Sequence, residues 1–414
     1  MFRTLALILA GGHAPALSIL SAERTGAAVP VAGKYRVIDF ALSNCINSGI
    51  YNVGVLTQHQ PNSLHTHLGV GRPWDLDRAQ GGLRVLHPQP TPDGSGWQRG
   101  TADAVRANFD YIADQPVDNV LILASDHIYK MDYRPLLQVH QEQRAELTLA
   151  VHSISPYEAY RYGVVGLDNN SRITSFVEKP RRPGSSLASM GIYVFRKQLL
   201  LDILSGGDDS SFGRDILPRL IHEVTTCGYN FQGYWVDIGT VQSYYEANMA
   251  LLTETPALDL YDFEWVIHTV SSQRPGAEIA TTARIENSLI SDGCRIHGEV
   301  ARSIISPGVY VEPGAVVRDS IILNDAVIRS GAVIDHAIID EDVVIGNDAL
   351  VGNGDDFTPN HANPEWLNTG LTLVGLRAHV PNGTILGRNV VVPPRTNEAA
   401  FRTAQIASGV TVGP

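Results

Sequence analysis

The sequence predicts an α/β domain built on a mixed, mostly parallel sheet, followed by a left-handed parallel β-helix of hexapeptide repeats. Three observations predict it. Over residues 1 to about 250, short apolar runs alternate with amphipathic stretches, as strands alternating with helices do. From about Ala283, apolar anchors recur every six residues, the period of a solenoid with three sides per coil. The length, 414 residues, exceeds one ordinary core, so two domains are expected. The boundaries read as 1–252 for the first domain, 253–282 for a connecting segment that packs between the two, and 283–414 for the solenoid.

The chain opens on an apolar strand, 5–9, ended by Ala10-Gly11-Gly12. Glycines directly after a buried strand let backbone approach a nucleotide closely, because no Cβ intervenes. The loop that follows, His13-Ala-Pro-Ala-Leu-Ser-Ile-Leu, is apolar and carries no Arg or Lys. Further strands are expected at 52–56, 120–124, 147–152, 163–167, 173–177 and 191–195. Helices are expected at 39–48, 101–112, 133–143, 197–204 and 213–225. The Gly-, Pro- and Asp-rich span 69–96 reads as a mobile loop over a site.

Polar residues at strand ends are the candidate functional groups, since open α/β sheets bind ligands there. Asp126 ends one apolar strand and Asp237 lies in YWVDIGT; together they suit a Mg²⁺ ion shared with a phosphate, or each simply caps a turn. Glu178-Lys179 ends another strand and suits sugar hydroxyls and a phosphate, or is a solvated ion pair. Gly100-Thr101 opens a helix whose free N–H groups could face a base or phosphate, with Thr101 as an ordinary N-cap the alternative.

In the solenoid the anchors run Ile305, Val311, Val317, Leu323, then slip by one to Ile328 and Ile334, then again to Ile339, Ile345 and Val351. After an extruded loop at 352–370 they resume at Val374, Val380, Leu386 and Val392. Such solenoids serve acyltransferases, for which His297, His336, His361 and His379 are candidate bases, or oligomerisation and regulation; none of the four has a partner visible in the sequence, so each reads first as an ordinary surface or hydrogen-bonded histidine.

Composition narrows the classes. No run approaches the ~20 apolar residues of a membrane span. A net charge of -12 argues against nucleic-acid or anionic-membrane binding. The scattered Cys45, Cys227 and Cys294 read as free thiols in a reducing, cytoplasmic setting. Met1 to Thr4 lead straight into the first strand, leaving no room for a cleavable signal.

Taken together, LILAGG at 7–12, AGKYRVIDFALSNCINSGI at 32–50, WQRGTADAV at 97–105, LASDHIYKMDY at 123–133, FVEKP at 176–180, LASMGIYVF at 187–195, YWVDIGT at 234–240 and the solenoid closely resemble the ADP-glucose pyrophosphorylase (glucose-1-phosphate adenylyltransferase) family. The resemblance implies a Rossmann-like nucleotidyltransferase domain that joins ATP and glucose 1-phosphate into ADP-glucose and pyrophosphate in glycogen biosynthesis. It implies Mg²⁺ on Asp126 and Asp237. It assigns Gly11, Gly12, Gln58, Gly100 and Thr101 to the nucleotide, and Tyr162, Gly163, Glu178, Lys179, Ser189 and Tyr193 to the sugar phosphate. It also implies a tetramer, of one chain or with an active paralogue, and a sugar-phosphate-type effector, for which Arg24 and Arg36 are the retained cations.

The chain departs from the family's loop pattern, GG-x-G-x-R-L followed by R-A-K-P-A-V. Ala16 stands at the catalytic Arg, Gly26 at the Lys and Ala14 at a loop glycine. Ser125 and Ser211 are smaller departures. Losing one cation that neutralises a developing phosphate charge costs about 3–4 kcal/mol of transition-state stabilisation. The reading that follows is a regulatory or catalytically weak subunit. The alternatives are an active enzyme that recruits other cations, such as Lys34, Arg36 or a residue of a partner subunit, and a non-enzymatic sugar-phosphate-binding scaffold.

Overall fold

The computed structural model describes residues 3–88 and 97–413. The N-terminal region is a nine-stranded mixed sheet. Strand Thr4–Leu9 lies near its middle, hydrogen-bonded in parallel to Asn52–Leu56 on one side and Asn119–Ala124 on the other. Leu187–Arg196 runs antiparallel to Asn119–Ala124 and carries the outer strands Gly163–Leu167 and Leu147–Ser153. Leu5, Ala6, Leu7 and Ile8 are fully buried, which is why this strand reads as an unbroken apolar run. The parallel half aims the ends of three strands, at Leu9, Leu56 and Ala124, toward the same edge, and the glycine loop sits there.

Three expected elements differ from what the structure shows. Residues 69–88 are not one loop: they hold a 3-10 turn, Arg72–Trp74, and a parallel edge strand, Gly82–Leu86. The rest of that expected loop, 89–96, lies outside the described residues. The helix expected at 101–112 is two, Thr101–Arg106 and Phe109–Asp114. The helix expected at 213–225 is a π-turn, Phe212–Ile216, followed by Leu217–Glu223. Strand Thr226–Asn230 and helices Asn62–Leu68 and Val241–Met249 carried no expectation.

The solenoid is three parallel sheets, one for each side of the coil. Its first strand, Glu278–Ile279, precedes residue 283. Ile305, Ile322 and Ile339 stack in successive coils, so the true anchor is Ile322, and a middle coil has 17 residues with one side a residue short. Leu323, read as an anchor from the sequence, instead faces the N-terminal domain. The short side is held by a serine ladder: Ser303 Oγ accepts from the Ser320 amide and Ser320 Oγ from the Ala337 amide, each at 3.1 Å and 17 residues apart.

The two domains share a core. Leu17, Ile19 and Leu20 of the glycine loop pack with Ile321, Leu323, Ile338, Leu373 and Val391 on one outer face of the solenoid. That burial explains the apolar loop. The connecting segment adds Leu258 and Ile267 to this core, and Trp265 Nε1 donates to Asn44 Oδ1 at 2.9 Å. The loop at 352–370 folds back, with Asn360 fully buried and its amide on Asn389 O at 3.0 Å.

Candidate active site

A cleft of about 450 Å³ opens at the ends of the parallel strands. Gly11, Gly12, Gly26, Gln58, Gly100, Thr101 and Asp126 all line it. Gly11 is required by close approach: a Cβ there would stand 2.9 Å from the Gln58 backbone nitrogen. Gly12 faces open space, with nothing within 4 Å of such an atom. The walls are tied together. Thr25 Oγ1 donates to Ala10 O at 2.9 Å, Ser125 Oγ to Leu9 O at 2.7 Å and Gln58 Nε2 to Gln98 O at 3.0 Å.

Thr101 is not the cap of its own helix. The N-cap is Gly100, and Thr101 Oγ1 accepts from the Phe212 amide at 3.2 Å. Nor are the first amides free for a ligand: Ala102 and Asp103 both donate to Ser210 O, at 2.9 and 3.3 Å. A Cβ on Gly100 would meet that same carbonyl at 2.4 Å, so the glycine there serves chain packing.

Among the described residues lining the cleft, Arg99 is the only Arg and there is no Lys. Gly26 lines it and Ala16 does not. Lys34 lies 5.7 Å from the Tyr35 ring, and Arg36 donates to Ala28 O and Ser63 Oγ, each at 2.8 Å. Neither faces the cleft.

The two acids meet through a short antiparallel pair, His127–Tyr129 against Trp235–Asp237, whose register sets Asp237 opposite His127. One ligand atom from each of Asp126, His127 and Asp237 lies within 4.8 Å of the others. Asp237 also closes a turn, accepting from the Gly239 amide at 2.6 Å, so the capping role holds for it alongside any other. Its carboxyl is pushed above the usual range, first by burial and then by the charge of Asp126, against the pull of His127 and of Arg161 at 3.5 Å. Asp126 points outward, with 55% of its side chain exposed. Two carboxylates that repel each other beside an open cleft fit a hard divalent cation, which would remove the repulsion. No other cluster of this kind occurs among the described residues.

The sugar-phosphate candidates form a second group beside the cleft rather than in its lining. Glu178 is half-buried, and burial raises its carboxyl. It is wedged between glycines: a Cβ on Gly213 would stand 2.7 Å from Glu178 Oε2, and one on Gly163 3.0 Å from it. The Lys179 amide donates to Tyr162 O at 2.9 Å, with Lys179 in left-handed backbone at φ +47. The Tyr162 ring lies 5.4 Å from Trp235, and burial with the Asp237 charge pushes its hydroxyl up, which ties this group to the acids. Ser189 Oγ donates to the Tyr193 hydroxyl at 3.4 Å, and burial lifts that hydroxyl to about 12. Gly191, at φ +67, brings this strand against Ala124.

Arg24 and Arg36 lie at the domain junction. Arg24 is 3% exposed and pairs with Asp340 at 2.8 Å and Glu341 at 3.4 Å. Arg36 reaches Glu341 at 3.5 Å. Sequence reasoning missed Arg99, Arg161 and Gly213. Arg99 sits inside the WQRGTADAV stretch and was within reach of it; Arg161 and Gly213 act only through residues distant in the chain.

A family model described as nucleotidyl transferase matches residues 5–254, and one described as GlmU-like, C-terminal hexapeptide matches residues 276–374. A glucose-1-phosphate adenylyltransferase from Thermomicrobium roseum is 53% identical, over 99% of this chain and 97% of its own. Those from Pseudothermotoga lettingae and Ruminiclostridium cellulolyticum are 45% and 46% identical, each over 99% of this chain and over 98% and 97% of theirs.

Proposed function

The chain belongs to the glucose-1-phosphate adenylyltransferase family, and from that premise we propose that it is a regulatory or catalytically weak subunit, one that binds the family's substrates but turns them over slowly by itself. The family joins ATP and glucose 1-phosphate into ADP-glucose. In that reaction a phosphate oxygen of the sugar phosphate attacks the α-phosphorus of ATP in line and pyrophosphate leaves. The observation that carries the proposal is the cleft wall from Gly11 to Ala14 and from Thr25 to Ala27, which presents no Lys or Arg where the leaving pyrophosphate has to be neutralised.

The remaining parts support binding. Gly11, Gly12, Gln58, Gly100 and Thr101 take the nucleotide, Glu178 accepts sugar hydroxyls, and Lys179 holds the sugar's phosphate with Tyr162, Gly163, Ser189 and Tyr193 around it. Asp126 and Asp237 hold Mg²⁺, whose charge offsets that of the α-phosphate. The proposed assembly is a tetramer, of this chain or mixed with an active paralogue. A sugar-phosphate-type effector at Arg24 and Arg36 would have to displace Asp340 and Glu341.

Turnover of the purified chain tests the reading. ADP-glucose should form at least about a hundredfold more slowly than on a relative whose loop keeps the Arg and Lys, equivalent to about 3 kcal/mol. A normal rate overturns it.

A further inference from the structure

The cleft keeps one pair of titratable groups that the proposed function leaves unused. His13 follows the two glycines and lines the cleft; His59 follows the lining residue Gln58 and sits just outside the lining, against His13. His13 Nδ1 lies 3.3 Å from His59 Nε2, with the rings edge to face and 4.6 Å between centroids. The pair is fixed to the backbone, since the His59 amide donates to Gly11 O at 3.2 Å. The other charged groups in the lining are Arg99 and Asp126. On the wall beyond, His65 and His87 face each other with centroids 5.0 Å apart, and His65 Nε2 lies 3.4 Å from Thr57 Oγ1, itself a lining residue.

We propose that His13 and His59 share one proton as an imidazole–imidazolium pair and through it hold the terminal phosphates of a nucleoside triphosphate, or free pyrophosphate, at the mouth of the cleft. This rests on the reading of the cleft as a nucleotide site. The chemistry follows from counting protons. Two neutral imidazoles joined by one N–H···N bond leave a single outer N–H. One added proton makes both outer nitrogens, His13 Nε2 and His59 Nδ1, donors and gives the pair a unit positive charge. Burial and then the neighbouring His13 lower the His59 pKa, so burial holds back the first added proton until an anion arrives and the two together oppose a second. An arriving polyphosphate favours the first, since an opposite charge stabilises the protonated form. The device differs from the loop Arg and Lys in one respect: its charge disappears as the pH rises through the imidazole range.

The probe is inorganic pyrophosphate, titrated calorimetrically into the full chain without metal, with glucose 1-phosphate as a separate ligand. Pyrophosphate affinity should fall by about tenfold or more between about pH 6 and about pH 8. His13→Gln and His59→Gln should each flatten that fall and weaken binding at the lower pH, with glucose 1-phosphate affinity unchanged. Protonation of pyrophosphate itself contributes equally to every variant and cancels in the comparison. Variants that keep both the wild-type affinity and the wild-type pH slope overturn the proposal. Because His13 is exposed, its variant decides the matter even if His59→Gln folds poorly. Failure of glucose 1-phosphate to bind the wild type would strike at the functional reading, while the pyrophosphate slope still judges the pair.

Discussion

Gly26 is a glycine without a backbone reason. A Cβ there meets Ala14 Cβ at 3.5 Å and Leu17 Cδ1 at 3.7 Å, ordinary contact distances, and its φ is not positive. Gly26 itself lines the cleft, so a longer side chain there has the cleft beside it. The variant carrying Ala16→Arg and Gly26→Lys should therefore fold and raise ADP-glucose formation by about tenfold or more, in line with restored transition-state charge. No gain in a steady-state assay would mean that the site has drifted elsewhere as well. Gly213 is the opposite case. A methyl there would displace Glu178, whose Oε2 stands 2.7 Å from the added Cβ. Gly213→Ala should weaken glucose 1-phosphate binding by about tenfold, roughly one charge-assisted hydrogen bond, and leave pyrophosphate binding intact. Equal losses for both ligands by calorimetry would refute that division. The sequence alone marked Gly26 through its place in a motif, but it could not mark Gly213, whose need arises from a carboxylate 35 residues earlier in the chain.

Elements were legible where their own pattern decided them. Strands Thr4–Leu9 and Asn52–Leu56 read off as apolar runs because both faces are covered. Strand Gly82–Leu86 did not, because an edge strand with Gly82 and Arg84 has the composition of a loop. The coil period was off by one residue at Leu323 because two apolar neighbours, Ile322 and Leu323, each face a core: one inside the solenoid, the other between domains. Helix Tyr133–Glu142 carries a consequence of its own. Its His140 is buried, with Nδ1 2.9 Å from Thr148 Oγ1 on strand Leu147–Ser153, and burial lowers its pKa to about 4. Below the unfolded value of about 6.5 the unfolded chain takes up the proton first. The stability due to neutral His140 is thus complete above about pH 6.5 and drains as the pH falls toward 4, by up to about 3 kcal/mol. His140→Gln keeps a hydrogen-bonding side chain but cannot titrate, so its Tm should drop less than the wild type's between about pH 7 and about pH 4.5. Parallel drops in the two proteins would place the acid sensitivity elsewhere.

At the scale of the whole molecule, the glycine loop is held from behind by the solenoid. Leu17, Ile19 and Leu20 supply an apolar seam, and Arg24 reaches from the far end of the same loop to Asp340 and Glu341. Glu23 adds a bidentate pair with Arg395, both contacts 2.7 Å, at the exposed rim. The rim pair is screened and contributes little. The buried pair differs: Asp340 is fully buried, burial pushes its carboxyl up against the pull of Arg24, and one atom of each partner, Arg24 Nη1 and Asp340 Oδ2, has no hydrogen-bond partner. Such a pair adds little net stability, yet removing Asp340 leaves the buried Arg24 with only the longer 3.4 Å contact to Glu341. Asp340→Ala should therefore destabilise the chain by about 3–5 kcal/mol, read as a fall in Tm, and should weaken pyrophosphate binding because the glycine loop loses its backing. The combination of Arg24→Met with Asp340→Leu removes both charges and extends the apolar seam, so it should recover most of the stability. If recovery of Tm also restores pyrophosphate affinity, the solenoid supports the cleft simply by holding the loop in place. If Tm returns and affinity does not, Arg24 itself sets the loop's geometry, and the junction is where a change in the solenoid reaches the site. A single Asp340→Ala variant as stable as the wild type would show that the apolar seam alone joins the two domains.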